Sequence, residues 1–174
     1  SARMLSFMQT RTNGSVTLPP SVSLCTDLEA AASGADVLVI SIASQGLRAL
    51  MAQLAALSIE GKDFVLCMKG LEIGSGKRLS EIAREFLPAS CPVSVWLGPG
   101  HVQEFTAGIP NCMVIDSLSE EAKGRLIRAF RGDLIRFYYG QDLLGNEIGA
   151  AAKNVIGIAA GMLDGLGKTA LKGA

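Results

Sequence analysis

Five short apolar runs, separated by helical or polar stretches, constrain this chain more than any other feature. The clearest is Ala35-Asp36-Val37-Leu38-Val39-Ile40-Ser41-Ile42, which is rich in β-branched residues and too short for a buried helix. Residues 63–68, 92–97, 111–116 and the more aromatic 134–138 read the same way. Helical spacing fills the gaps. Residues 45–57 put Leu47, Leu50, Met51, Leu54 and Leu57 on one face, and 78–86 do so with Leu79, Ile82, Ala83 and Phe86. Asp27 can cap a short helix that ends at Ser33-Gly34, and Ser119 can cap another that runs to Phe130. Continuous apolar runs imply strands buried on both faces. Such strands alternating with helices predict an α/β fold, with a parallel sheet and right-handed crossovers.

The character changes after Gly145. Residues 146–163 read as one long helix of small side chains, among them Gly149, Ala150, Ala151, Ala152, Gly157, Ala159, Ala160 and Gly161. Small residues permit close helix packing, which suits an element inside a second, helical domain. The expected division is an α/β domain over 1–143 and the start of a helical domain over 144–174.

Composition excludes several classes. The 174 residues carry 16 basic and 16 acidic side chains, with no basic stripe to meet nucleic acid. Cys25, Cys67, Cys91 and Cys112 show no metal-like spacing, and His101 is the only histidine, so no metal site is expected. Scattered thiols of this kind fit reduced cysteines in a cytoplasmic protein. The first residues lack the pattern of a secretory leader, and no apolar stretch approaches the roughly 20 residues that span a bilayer.

Two lysines stand out against this background. Lys69 ends an apolar run in Cys67-Met68-Lys69-Gly70-Leu71-Glu72, and Lys153 sits among small residues in Gly149-Ala150-Ala151-Ala152-Lys153-Asn154-Val155. A lysine in apolar surroundings needs a partner or a lowered pKa. Between the two lies the turn Gly98-Pro99-Gly100-His101, directly after another strand. Free backbone N–H groups of such a turn can meet an anion. Together these residues suggest a site for an anionic, carbonyl-bearing substrate. By contrast, Gly74-Ser75-Gly76 has no third glycine and reads as a plain turn, so the chain carries no Gly-x-Gly-x-x-Gly dinucleotide loop. Arg125, Arg128, Arg131 and Arg136 read as a solvated helix face and strand flank.

The runs around Lys69, Gly98-Pro99-Gly100-His101-Val102-Gln103-Glu104 and Ala151-Ala152-Lys153-Asn154-Val155, followed by Ala160-Gly161-Met162-Leu163-Asp164-Gly165-Leu166-Gly167, occur in an order and spacing that resemble the bacterial NAD(P)-dependent glycerol-3-phosphate dehydrogenases. The resemblance implies a Rossmann-like domain, here without its first βαβ unit, and an all-helical domain of which only the beginning is present. It implies reduction of dihydroxyacetone phosphate to sn-glycerol 3-phosphate with NADH or NADPH, feeding glycerophospholipid synthesis. Partners would be small molecules, with a homodimer left open. Two rivals stand beside this reading: a fragment with no independent cofactor binding, and another hydroxyacid dehydrogenase of the same architecture.

Carried over residue by residue, the resemblance makes Lys153 the proton donor to the carbonyl oxygen and Lys69 a lysine shared by substrate and cofactor. Asn154, Gly98 and Gly100 fall at substrate-side positions. Ser44, Gln45 and Val102 fall on the cofactor side. Three departures accompany this. Ala43 replaces the proline of the family's Pro-Ser-Gln, Gly100 replaces a hydroxyl or amide residue, and the run from Lys168 to Lys172 differs from the usual loop.

Overall fold

A computed structural model of the protein describes residues 2–167, so the run from Lys168 to Lys172 lies outside the described residues. In chain order the elements are α1 (Ala2–Thr10), α2 (Leu28–Ser33), β1 (Val37–Ile40), a 3-10 turn (Ser44–Gly46), α3 (Leu47–Leu54), β2 (Asp63–Leu66) and α4 (Leu79–Phe86). Then come β3 (Val93–Leu97), α5 (Val102–Thr106), β4 (Asn111–Ser117), α6 (Glu120–Phe130), β5 (Ile135–Tyr139) and α7 (Leu143–Gly165). All five expected strands form one sheet in the order β1-β2-β3-β4-β5. The caps work as their chemistry requires: the Asp27 carboxylate accepts from the N–H groups of Glu29 and Ala30, and the Ser119 hydroxyl accepts from that of Ala122.

The sheet is mixed, which corrects the all-parallel expectation. β1, β2 and β3 run parallel, β4 pairs antiparallel to β3 through Val95↔Asp116 and Leu97↔Val114, and β5 is parallel to β4. Apolar runs report burial and say nothing of direction, so the reversal at Gly108 had no signal in the pattern. The expectation of burial on both faces also holds only for the central strands. Every residue of β2 is buried and β3 nearly so, whereas β1 exposes Val39 and β5 exposes Tyr138 and Tyr139.

Two cores flank the sheet. Phe64, Leu66, Val93, Val95 and Leu97 point to one face and pack with Leu47, Met51 and Leu54 of α3 and Ile82 and Ala83 of α4, joined by Leu143 and Ala150 of α7. Val65 and Ile115 point the other way onto Leu126 and Ile127 of α6, with Trp96, Phe130 and Phe137 stacked beside them. Each fully buried side chain of this size contributes about 1.5–3 kcal/mol of apolar burial. Arg125 lies on an exposed helix face, as expected, and also bonds both carboxylate oxygens of Asp63 at 3.1 and 2.9 Å, which ties α6 to the start of β2. The signal for that pair was three-dimensional, because the partners lie 62 residues apart.

The reversal of β4 matters for α7. β5 ends at the edge where β3 begins, so α7 starts at that edge and must climb the face of the sheet. Ten residues of helix rise about 15 Å, and a five-residue strand spans about 17 Å. Lys153, ten residues beyond Leu143, therefore reaches the edge where β3 ends at Leu97.

Candidate active-site cleft

The C-terminal ends of β1, β2 and β3 open onto one edge, where sites of α/β proteins form. Ser44 follows β1, Lys69 follows β2 and Gly98 follows β3. α7 brings its stripe Asn146, Gly149, Ala150 and Lys153 to the same place, at the i, i+3, i+4, i+7 spacing of one helix face. A cavity of about 290 Å³ lies between this stripe and Lys69, Leu97, Gly98, Pro99 and Val114. Gly149 and Ala150 leave the room for it. A contiguous cavity of about 380 Å³ runs past Lys69, Gly98, Gly100, His101 and Val102 toward Trp96 and Phe105. The fold thus brings together Lys69, Lys153, Gly98, Gly100 and Val102. Asn154 points away from both cavities and is exposed.

The lysines stand at the mouth of the cleft, exposed rather than buried among the apolar residues that precede them in sequence. The Lys69 ammonium is still held below the ordinary lysine range, first by partial desolvation and then by the like charge and contact of Lys153. Among the described residues neither lysine makes a salt bridge. Two adjacent cations with no salt bridge among the described residues leave positive charge at the mouth of the cleft.

The loop that carries Lys69 is tied down from α3 and its preceding turn. The Gln45 amide donates to the Leu71 carbonyl at 2.9 Å and its oxygen accepts from the Ile73 N–H at 2.9 Å. The side chain expected to face a cofactor is therefore already bonded within the protein. Arg48 adds a forked pair to Glu72, at 2.8 and 2.9 Å, and a second pair to Glu85. These bonds, with Ser75 on Glu72 and Lys77 on Glu85, hold both carboxyls near a pKa of about 2. The turn at 74–76 is a plain turn, as its sequence indicated: the Gly76 N–H donates to the Glu72 carbonyl.

Gly98 and Gly100 are glycines for different reasons. Gly98 has φ +150°, and a Cβ there would meet Met113 backbone at 3.1 Å and the Cys112 carbonyl at 3.2 Å. At Gly100 a Cβ would meet the terminal methyl of Met113 at 2.9 Å and, at ordinary contact distance, the Phe105 ring at 3.6 Å. The Met113 sulfur accepts from the Trp96 indole N–H at 2.7 Å, while the methyl beyond it can still turn aside. Met113 takes the space into which a larger side chain at position 100 would reach. We expect Gly98→Ala to destabilise the protein by roughly 1–3 kcal/mol and Gly100→Ala by less than about 1 kcal/mol. Urea denaturation of both variants checks this; equal losses would refute it.

The described residues offer no cluster of His, Cys, Asp and Glu that could hold a metal ion, and the four cysteines are free. No described helix is long and apolar enough to cross a membrane.

Known proteins carry the same pattern. The family model for the NAD-dependent glycerol-3-phosphate dehydrogenase N-terminus matches residues 6–123. Glycerol-3-phosphate dehydrogenase [NAD(P)+] of Prosthecochloris aestuarii is 40% identical over 154 residues, covering 87% of this chain and 46% of the relative. The enzyme of the same name from Nitrosococcus oceani is 36% identical over 152 residues, with 87% and 44% covered. A crystal structure of glycerol-3-phosphate dehydrogenase from Coxiella burnetii superposes with a TM-score of 0.85 at 25% identity, over 95% of this chain and 52% of that one. The chain spans about half the length of the curated relatives it matches.

Proposed function

The chain belongs to the NAD-dependent glycerol-3-phosphate dehydrogenase family, and on that premise we propose that it carries part of an active site reducing dihydroxyacetone phosphate to sn-glycerol 3-phosphate. The observation that supports this most is the convergence of Lys69 and Lys153 on one cleft without an acidic partner among the described residues. The substrate has a phosphate dianion and a ketone a few bonds apart. Two cations answer both, whereas the turn offers less than its sequence suggested, because Pro99 has no N–H and the Gly100 N–H is donated to the Gly98 carbonyl at 3.1 Å.

A reduced nicotinamide supplies the hydride when bound. The chain's residues fit that end of a dinucleotide: the cavity past Gly98 and Val102 is walled by the Trp96 and Phe105 rings and opens beside Lys69. They offer no Gly-x-Gly-x-x-Gly loop for the pyrophosphate. Ser44 and Val102 would border the cofactor, while Gln45 would act on it through the loop it ties to Lys69.

In this reading Lys153 donates a proton to the carbonyl oxygen as charge builds there, and Lys69 holds the adjacent negative charge. Asn154 would reach the substrate only with a change of side-chain direction. Residues 1–143 form the cofactor-side domain and 144–174 open the substrate-side helical domain. The exposed Val155, Ile156, Ile158 and Met162 along α7 support that division, since such a helix calls for cover. The reaction belongs to the cytoplasm and serves glycerophospholipid synthesis. It uses either NAD or NADP with no nucleic-acid partner, and a homodimer is the assembly to seek by light scattering.

Dihydroxyacetone phosphate added to the intact protein should cause oxidation of NADH or NADPH, followed at the nicotinamide absorbance; turnover of a 3-hydroxy acid instead would sink the reading. Residues 1–174 should bind NADH only weakly, because this sequence holds no Gly-x-Gly-x-x-Gly loop for the pyrophosphate. Micromolar binding by the isolated 174 residues in a fluorescence titration would contradict that.

A further inference from the structure

Glu147 is a buried carboxylate on α7, with 7% exposure, and it faces away from the cleft toward α4. Its Oε1 accepts from the Ser80 N–H at 3.0 Å. Its Oε2 accepts from the Ser80 hydroxyl at 2.6 Å and from the Arg78 guanidinium at 2.7 Å. Three bonds to one carboxylate, two of them to the first turn of α4, are more than a helix contact needs.

The neighbouring residue does the same in another direction. The Asn146 amide donates to Asp116 Oδ2 of β4 at 2.6 Å. Successive residues of a helix point about 100° apart. Two anchors at that angle, one to α4 and one to the sheet, fix the rotation of α7 about its axis, which a single anchor would leave free.

Rotation is the coordinate that matters for Lys153. It stands seven residues after Asn146, two turns and about 10 Å along the axis, on the same face. A 20° rotation swings a side chain at the outer radius of a helix by about 2 Å, and a 1 Å misplacement of a reacting group can cost about a hundredfold in rate. Among the described residues, Lys153 has no salt bridge of its own to hold it. Its place opposite Lys69 is inherited from the helix.

We propose that Glu147, bonded to Arg78 and Ser80, is a positioning residue that sets the rotation of α7 and so holds Lys153 against Lys69. The catalytic part of this rests on the functional reading above; the geometric part does not.

In the intact protein, Glu147→Gln should lower kcat about ten- to a hundredfold while KM for dihydroxyacetone phosphate changes less than about threefold. It should also raise the titration midpoint of Lys69, followed by NMR of 13C-labelled lysine Cε and assigned from Lys69→Arg, as Lys153 moves away. The titration needs no turnover. A protein that does not reduce dihydroxyacetone phosphate therefore refutes the functional reading while the clamp is still judged. An unchanged Lys69 midpoint in folded Glu147→Gln overturns the clamp, whatever the activity. If that variant does not fold, Ser80→Ala, which removes one of the three bonds, should shift Lys69 in the same direction by less, and no shift there also overturns it.

Discussion

Lys153→Met should lower kcat by about 10²–10⁴ with little loss of stability. Methionine keeps most of the apolar stem and removes only the ammonium, which is exposed and makes no salt bridge among the described residues. Little packing is therefore lost, and melting of the intact variant should stay within about 0.5 kcal/mol of the parent, as for surface changes generally. Turnover should respond differently if Lys153 is the proposed proton donor, because the developing alkoxide would lose it. A second reading comes from Lys69. Its pKa lies below the ordinary range through desolvation and through the charge of Lys153. Removing that charge leaves only desolvation, so the Lys69 midpoint should rise. The sign follows for stability as well. A lysine whose folded pKa is depressed disfavours the folded state below that pKa, and the penalty is relieved as pH rises toward the unfolded value. Lys153→Met should flatten that alkaline rise. A variant that retains parental kcat, or an unmoved Lys69, would remove Lys153 from the chemistry.

The sheet and the cleft were legible to different degrees. The run Val93–Leu97 announced a strand covered on both faces, and Val37–Ile40 announced one by its β-branched residues although it lies at the sheet edge with Val39 exposed. Lys69 and Gly98 could be placed at a functional edge because both follow such runs directly. Direction within the sheet was hidden, since the apolar residues of β4, Met113 to Ile115, report burial and not which way the strand points. The helix Val102–Thr106 was hidden too: one and a half turns bury no residue and leave no periodicity. α7 starts three residues before its expected beginning, because the Asp142 carboxylate caps it by accepting from the Gly145 N–H. Glu147, Arg78 and Asp116 escaped notice for another reason. A charge that will be buried looks like a surface charge until its partner, 69 residues away for Glu147 and Arg78, is brought beside it.

Asp116→Ala should destabilise the fold by about 3–5 kcal/mol. Asp116 is 1% exposed at the end of β4 and faces Lys123, which is 2% exposed, with Nζ–Oδ1 at 3.4 Å. Burial opposes the charge on Lys123, but Glu120 and Asp116 outweigh it and hold its pKa above the ordinary value. The same ammonium donates to the Gly140 carbonyl at 2.6 Å, which ties α6 to the end of β5. Alanine at 116 strips Lys123 of its buried counter-charge and leaves Glu120, which is largely in water, as the only acid. It also frees Asn146, one of the two anchors of α7, so turnover should fall together with stability. At roughly 2–4 °C per kcal/mol for a protein of this size, the intact variant should melt about 10 °C lower. Lys123→Met inverts the problem by leaving Asp116 as a buried carboxylate. That carboxylate keeps its bonds from the Ser117 N–H and the Asn146 amide but loses its counter-charge, so Lys123→Met should also be destabilised. Removing both charges in Asp116→Ala/Lys123→Met should restore part of the loss, because an emptied pair costs less than half of one. Additive losses in thermal melts of the three variants would mean that the two side chains stabilise the fold independently, and that the buried pair is not the joint between β4, α6 and α7.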